Sequence, residues 1–439
     1  MSPSASAADH RIQRARALIA EYDVPSARAI LEAVAAGPPG AAWAAARVEL
    51  VALGYGGGEY LAMRALLAPV LAEPSIGGIE RALAQYWTAV VSEGLDEPVD
   101  LHALGEAIVV LEADEPYRAA SARLQRGRLA RLEGHLARAV TDFAVAMGLD
   151  ECVGSMTGAA GARLSLAEIA AAGGDVARAG YELDAGLAWL ARFPLGGMSV
   201  RVLEKKLRAR RDALVGHAAT ENVSTAAAVR DEDPRLQHAR RCLREGAVQQ
   251  ARALLGALAA EAPGVAWAAA RLELAAVAHR DGDIASMRAW LTPILAAPSL
   301  GGALHAAAAY GAALTSASCG DAFDPSALEA AIALEVSAPE LAADARMLRA
   351  RWWRRHGNLV RARIDVSAAV GLYECAGSIA GLATARLALA EAAVAQGGAP
   401  RADYELRAGL AWLARFPSEP TACQHEAILR EHLAGLPAG

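Results

Sequence analysis

SARLQRGRLARLEGHLARAVTDFAVA, residues 121–146, reads as two helices with a break between them. Apolar and small residues recur at three- and four-residue spacing on both sides of Glu133 and Gly134, the period of an amphipathic helix. The glycine supplies the stop. The same spacing runs outward in both directions, interrupted by Gly, Pro or Asp every 12 to 20 residues. Alternating runs rich in Val, Ile and Thr are absent, so no sheet is expected. In the first half the pattern predicts helices over 10–21, 25–36, 40–53, 58–72, 77–93, 100–113, 116–133, 135–148, 155–172, 175–192 and 198–215. Paired in order, they make five hairpins and a closing helix.

The chain is written twice. AAWAAARVEL (41–50) returns as VAWAAARLEL (265–274), and LAPVLAEPSIGG (67–78) as LTPILAAPSLGG (291–302). YELDAGLAWLARFP (181–194) returns as YELRAGLAWLARFP (404–417). The offset is 224 residues early and 223 later, so one residue is lost opposite the stretch from Ile108 to Pro116. We therefore expect two tandem, pseudo-symmetric halves, 1–217 and 234–439, joined by the polar linker 218–233. A two-helix unit cannot bury its apolar face alone, whereas stacked neighbours bury it for one another.

Composition supports a large packed core. Of 439 residues, 54% are hydrophobic, and alanine alone accounts for 112. That excludes disorder and a disulfide-stapled mini-protein. The net charge of −6 argues against a general affinity for nucleic acid or acidic membrane. Only Lys205 and Lys206 among the 43 basic residues are lysines. The five cysteines, Cys152, Cys242, Cys319, Cys375 and Cys423, are scattered and odd in number, as in a reducing compartment. The start, MSPSASAADHR, carries no secretion pattern, so the expected location is the cytoplasm. Residues 291–320 hold no Asp, Glu, Lys or Arg, but Pro293 and Pro298 interrupt them, and their counterpart carries Glu73, Glu80 and Arg81. They read as ordinary helices, with no membrane span.

The hairpin at 121–146 resembles a tetratricopeptide repeat, in the manner of the degenerate arrays found in bacterial proteins. Gly127, Ala139, Phe143 and Ala146 stand where that family alternates small and large residues at the helix crossing. Ala350, Ala362, Val366 and Ala369 repeat the pattern, as do Ala167, Ala179, Leu183 and Gly186, and Ala390, Ala402, Leu406 and Gly409. A small residue lets two helices approach, and a large one fills the space beside it. The resemblance implies an all-α right-handed solenoid. It also implies a concave groove lined by Arg128 and Arg131 in the first half and by Arg351, Arg354 and Arg355 in the second, with Glu168 and Glu391 on the following units. Such a groove suits a peptide or protein segment, especially one bearing a carboxylate. The blander alternative is that these arginines pair with Glu168, Glu391 and neighbouring acids. Trp43, Trp267, Trp189 and Trp412 read as structural wedges.

Catalytic signatures are missing: no phosphate-binding loop, HExxH, GxSxG or acid-rich cyclase motif occurs. His238 and Cys242 lie four apart, with Arg14 and Leu18 at the matching places and no third ligand nearby in sequence, so no metal or other cofactor is expected. Glu151-Cys152 and Glu374-Cys375 match across the halves and read as packing. Arg47 with Glu49 and Arg271 with Glu273 recur inside apolar helices and should be satisfied by bridges between stacked helices. RARWWRRHG (349–357) interleaves basic and aromatic residues, a pattern that also serves nucleic acid; the overall acidity favours a protein partner. The leading expectation is a non-catalytic scaffold or adaptor, which leaves self-association open. A small-molecule sensor or biosynthetic enzyme with a pocket between the halves is the alternative.

Overall fold

Short polar side chains start the helices and glycines stop them. Asp23, Asp100, Asp233, Asp283, Asn358 and Ser378 each accept a backbone N–H in the first turn that follows. Pro116, Pro234, Pro339 and Pro420 stand at helix starts, where no N–H is required. Gly134 and Gly357, at matching places, turn the chain at φ 80° and 78°. The computed structural model describes residues 3–194, 196–217, 233–297 and 300–436. The proposed linker 218–233, but for Asp233, lies outside them, as does Pro298.

Among the described residues the structure is all-α. The first eleven helices are α1 (Pro3–Ala20), α2 (Val24–Ala35), α3 (Ala41–Gly54), α4 (Tyr60–Ala72), α5 (Gly78–Gly94), α6 (Leu101–Asp114), α7 (Pro116–Leu132), α8 (Leu136–Val153), α9 (Met156–Ala172), α10 (Val176–Leu190) and α11 (Met198–His217). The next six are α12 (Pro234–Arg244), α13 (Val248–Ala259), α14 (Val265–Arg280), α15 (Ile284–Leu295), α16 (Gly302–Cys319) and α17 (Glu329–Ile332). The last five are α18 (Pro339–Arg355), α19 (Leu359–Ala376), α20 (Ile379–Ala395), α21 (Ala399–Leu413) and α22 (Pro420–Ala434).

Packing divides the chain into two units, Met1–Arg163 with Trp189–Arg201, and Leu164–Ala188 with Val202–Gly439. Within the first, each helix from α1 to α8 packs on the next, and α1, α3, α5 and α7 also touch in sequence. Within the second, α12, α14, α16, α18, α20 and α22 form the corresponding row. The first helices of successive hairpins therefore make one continuous layer in each unit, as in a TPR-like helical repeat. The expected crossing residues are all buried, Gly127, Ala139, Phe143 and Ala146 among them. A Cβ on Gly127 would stand 2.9 Å from the Phe143 ring, so only glycine admits that ring.

Three local expectations change. The counterpart of α6 is broken into a 3-10 turn (Pro325–Leu328) and the four-residue α17. The missing residue falls just after Ile332, where the short α17 ends. Pro293 lies inside α15 and does not interrupt it, just as Pro69 lies inside α4, where an unbroken helix over 58–72 was expected. Arg47 and Arg271 bond to carbonyls in place of carboxylates: Arg47 to Ala35 O at 3.5 Å and Leu66 O at 3.3 Å, Arg271 to Ala259 O at 3.0 Å. Ala35 and Ala259 end α2 and α13, where carbonyls lack helical donors. Glu49 and Glu273 do form the expected bridges, to Arg16 at 2.8 Å and Arg240 at 2.6 Å.

Close approach at α19 and α20 yields a first prediction. A Cβ on Gly381 would lie 2.4 Å from the Tyr373 ring. Gly381→Ala should therefore cost about 1–3 kcal/mol of overpacking, measured by urea unfolding. A loss below 0.5 kcal/mol would show that the ring simply swings aside.

Candidate functional site

Most of the conspicuous arginines are structural. Arg123, 3% exposed, donates to Glu112 at 2.6 Å and to Asp142 at 3.0 Å. Arg126 forks onto the same Asp142 at 2.8 and 2.6 Å. The second copy repeats this with Arg349 forking onto Asp365 at 2.9 and 2.6 Å, while Arg346 stands 3.5 Å from it. Further along, Arg163 meets Glu151 at 3.0 Å, and Arg386 bridges Glu405 at 2.7 Å and Glu374 at 3.3 Å. Glu374 also accepts from the Tyr181 hydroxyl at 3.1 Å, and its carbonyl from Arg178 at 2.7 Å. Sequence reasoning missed these networks. Their signal was available: the rule that led to Arg47 and Arg271, matched charges inside matched apolar helices, selects Arg123, Arg163, Arg346 and Arg386 equally well.

Two neighbouring recesses open on the inner row of the second unit. The larger, a cavity of about 310 Å³, lies between α16, α18 and α20 and receives Tyr373 from α19. Its polar lining includes Tyr310, Glu340, Asp344, Arg351, Tyr373 and Ser378, with Thr384 beside them, over an apolar floor that includes Leu314, Met347 and Leu348. The Tyr373 hydroxyl donates to Asp344 at 2.6 Å, and Ser378 donates to Glu340 at 2.8 Å. Burial pushes the Asp344 carboxyl above its usual range, against the pull of that hydroxyl. Burial likewise pushes the Tyr310 and Tyr373 hydroxyls up. The smaller recess, about 190 Å³, has walls of Leu314, Ala317, Phe323, Leu348 and Trp352, with Arg351 and Arg355 beside them. Trp352 is braced there by His356, stacked on it at 3.9 Å.

Comparison of the two copies explains why Arg351 faces open space. Its counterpart Arg128 is tied to Glu93 at 3.0 Å and to Gln125 at 2.9 Å. In the second copy those positions are Ala317 and Leu348, so both tethers are gone, and no carboxylate pairs with Arg351 among the described residues. Val99, Leu129 and Leu132 are replaced by Phe323, Trp352 and Arg355 in the same patch. The cluster RARWWRRHG is thus where the second copy departs from RGRLARLEG of the first.

Of the residues expected to line a groove, Arg351 and Arg355 come together at these recesses. Arg354 lines neither and is exposed. Arg128 belongs to the Glu93 network, and Arg131 lies half-buried near the end of α7. Glu168 meets Arg210 at 3.4 Å, and Glu391 lies 3.9 Å from His432. Among the described residues no group of three or more His, Cys, Asp or Glu could hold a metal ion, and His238 and Cys242 stand 3.9 Å apart on their own. No helix among them is long and apolar enough to cross a membrane.

No protein-family model matches the chain, and no curated protein matches it. Among solved structures it is similar to a chain in the crystal structure of the APC/C hetero-tetramer Cut9–Hcn1. That likeness covers 98% of this chain and 96% of the other, at 13% identity and a TM-score of 0.24. A score that low carries no functional argument, so function has to be argued from this chain's own residues.

Proposed function

We propose that the chain is a non-catalytic helical-repeat scaffold, built as two tandem TPR-like halves, whose second half holds an acidic segment of a partner polypeptide. The observation that carries this reading is the release of Arg351 by the exchange of Glu93 and Gln125 for Ala317 and Leu348. A guanidinium held by two partners is part of the scaffold; the same group without them, beside Arg355 and an apolar wall, has bonding capacity to offer. Phe323 and Trp352 supply rigid apolar area, and Arg351 and Arg355 supply orientation, the usual division of labour at a binding hot spot. Arg354 is left to the surface in this reading, and Arg131, Glu168 and Glu391 to intramolecular contacts.

Affinity capture from native lysate, read by mass spectrometry, tests it. Wild type and the Arg128→Ala variant should recover the same partner. The double variant Arg351→Ala, Arg355→Ala should lose it by a factor of about ten or more, the scale of two charge-assisted bonds. Undiminished recovery by the double variant would remove the site.

A further inference from the structure

The larger cavity has a lining that the acid-gripping role leaves unused. Apart from Arg351, its polar members are chiefly acceptors. Tyr373 spends its hydroxyl proton on Asp344, and Ser378 spends its own on Glu340. Both carboxylates keep further lone pairs toward the cavity they line. Asp344 is also unlike most carboxylates set into the helical stack, sharing its lack of a cation with the sealed Asp150. Asp142, Asp365, Glu151, Glu374 and Glu405 each meet a guanidinium. Asp344 meets none; Arg351 acts on it through space without an ion pair. The first copy has no equivalent receptor. Tyr117 and Ser121 stand at the places of Glu340 and Asp344, and Asp150, at the place of Tyr373, is sealed beneath Gly158. Both acids of the cavity therefore appear in the copy that also frees Arg351.

We propose that this cavity receives a lysine side chain of the segment gripped by Arg351 and Arg355, an inference that rests on the function proposed above. The geometry selects an ammonium over a guanidinium. Asp344 and Glu340 each already accept one hydroxyl, so the acceptors left open are spread over separate residues rather than offered as one free edge to a planar fork. An ammonium instead places its three protons on separate acceptors, here Asp344, Glu340 and the Tyr310 hydroxyl. Its butyl stem finds Leu314, Met347 and Leu348 along the way. The partner segment thus combines a lysine with a nearby acidic residue, matching the cavity and Arg351 side by side.

An array of short randomised peptides probed with the full-length protein tests this. Wild type should select peptides with a lysine at fixed spacing from an Asp or Glu. Asp344→Asn, which keeps an acceptor for Tyr373, should weaken a selected lysine peptide about tenfold, the worth of one charged hydrogen bond. Glu340→Gln should act in the same direction. Acetylating the lysine should weaken binding to wild type by at least as large a factor, and weaken binding to Asp344→Asn by less, since Glu340 still faces the ammonium there. The double variant Arg351→Ala, Arg355→Ala should lose the acidic preference while keeping the lysine preference. Peptides selected without lysine, or bound equally by Asp344→Asn and Glu340→Gln, would overturn the lysine site and leave the segment-binding function standing. If wild type selects no peptide while calorimetry shows 1,5-diaminopentane in the cavity, both readings fail and a free amine is the ligand.

Discussion

Arg386→Ala should be among the most damaging single substitutions in the chain, costing about 3–5 kcal/mol for the broken ion pairs, with the cavity left by the side chain adding to that. The guanidinium is fully buried and joins Glu405 on α21 to Glu374 on α19. Both carboxylates are themselves fully buried. Removing the cation leaves them facing each other's charge without the group that neutralised it, and an uncompensated buried charge costs more than the pair ever contributed. Glu405 keeps Arg401 one turn away, and Glu374 keeps the Tyr181 hydroxyl at 3.1 Å and the charge of Arg178 nearby. Adding Glu374→Gln or Glu405→Gln to Arg386→Ala should restore part of the loss, because each removes one of the two buried charges. Trp412 is fully buried on α21 and edge-on to Tyr181, so its fluorescence reports unfolding at this place. A urea transition shifted by less than the equivalent of 1 kcal/mol would show that the network is incidental to stability.

The helices were legible because their signals are local. Caps such as Asp100 and Asn358 and prolines such as Pro116 and Pro339 act within one turn, and the repeated text restates some of these boundaries, Pro116 and Pro339 among them. The break at α17 was legible only as a missing residue. Charge was harder to read. Helical period places a residue on a face, but whether that face meets a carboxylate, a helix-end carbonyl or water is decided by a second helix. Arg47 and Arg271 were read as partners of acids and instead close the ends of α2 and α13.

The candidate site shows the same division. Arg351 and Arg355 were expected to face the groove, and they line the same recess. Arg354, one residue away, points elsewhere, because neighbouring positions on a helix lie about 100° apart. The decisive feature, loss of the Glu93 and Gln125 tethers, was written in the alignment of the two copies. It became readable only once the structure placed those two residues around Arg128. Asp344 was not a candidate from sequence, since a lone acid in an alanine-rich helix carries no pattern.

The stability advantage of Asp150→Asn over wild type should grow as pH rises from 4 to 8. Asp150 is 2% exposed on α8, one of its oxygens has no hydrogen-bond partner, and Gly158 is packed against it. Burial pushes its carboxyl up to about 7, with the neighbouring Glu151 charge adding to the rise and a hydrogen bond from Ser155 opposing it. The folded protein thus holds this proton more tightly than the unfolded chain does. Its stabilising protonated form is complete below pH 4, is lost through the range up to about 7, and contributes nothing beyond it. A rise of this size corresponds to roughly 2–4 kcal/mol once relaxation around the charge is allowed for. Asparagine cannot ionise, so Asp150→Asn should be more stable than wild type by that amount at pH 8 and nearly equal to it at pH 4. Ionisable groups remote from position 150 are the same in both proteins and cancel in the difference. Parallel urea unfolding curves at both pH values give the comparison directly. An equal stability difference at the two pH values would mean that Asp150 is ionised throughout, held by a partner that its sealed position beneath Gly158 does not provide.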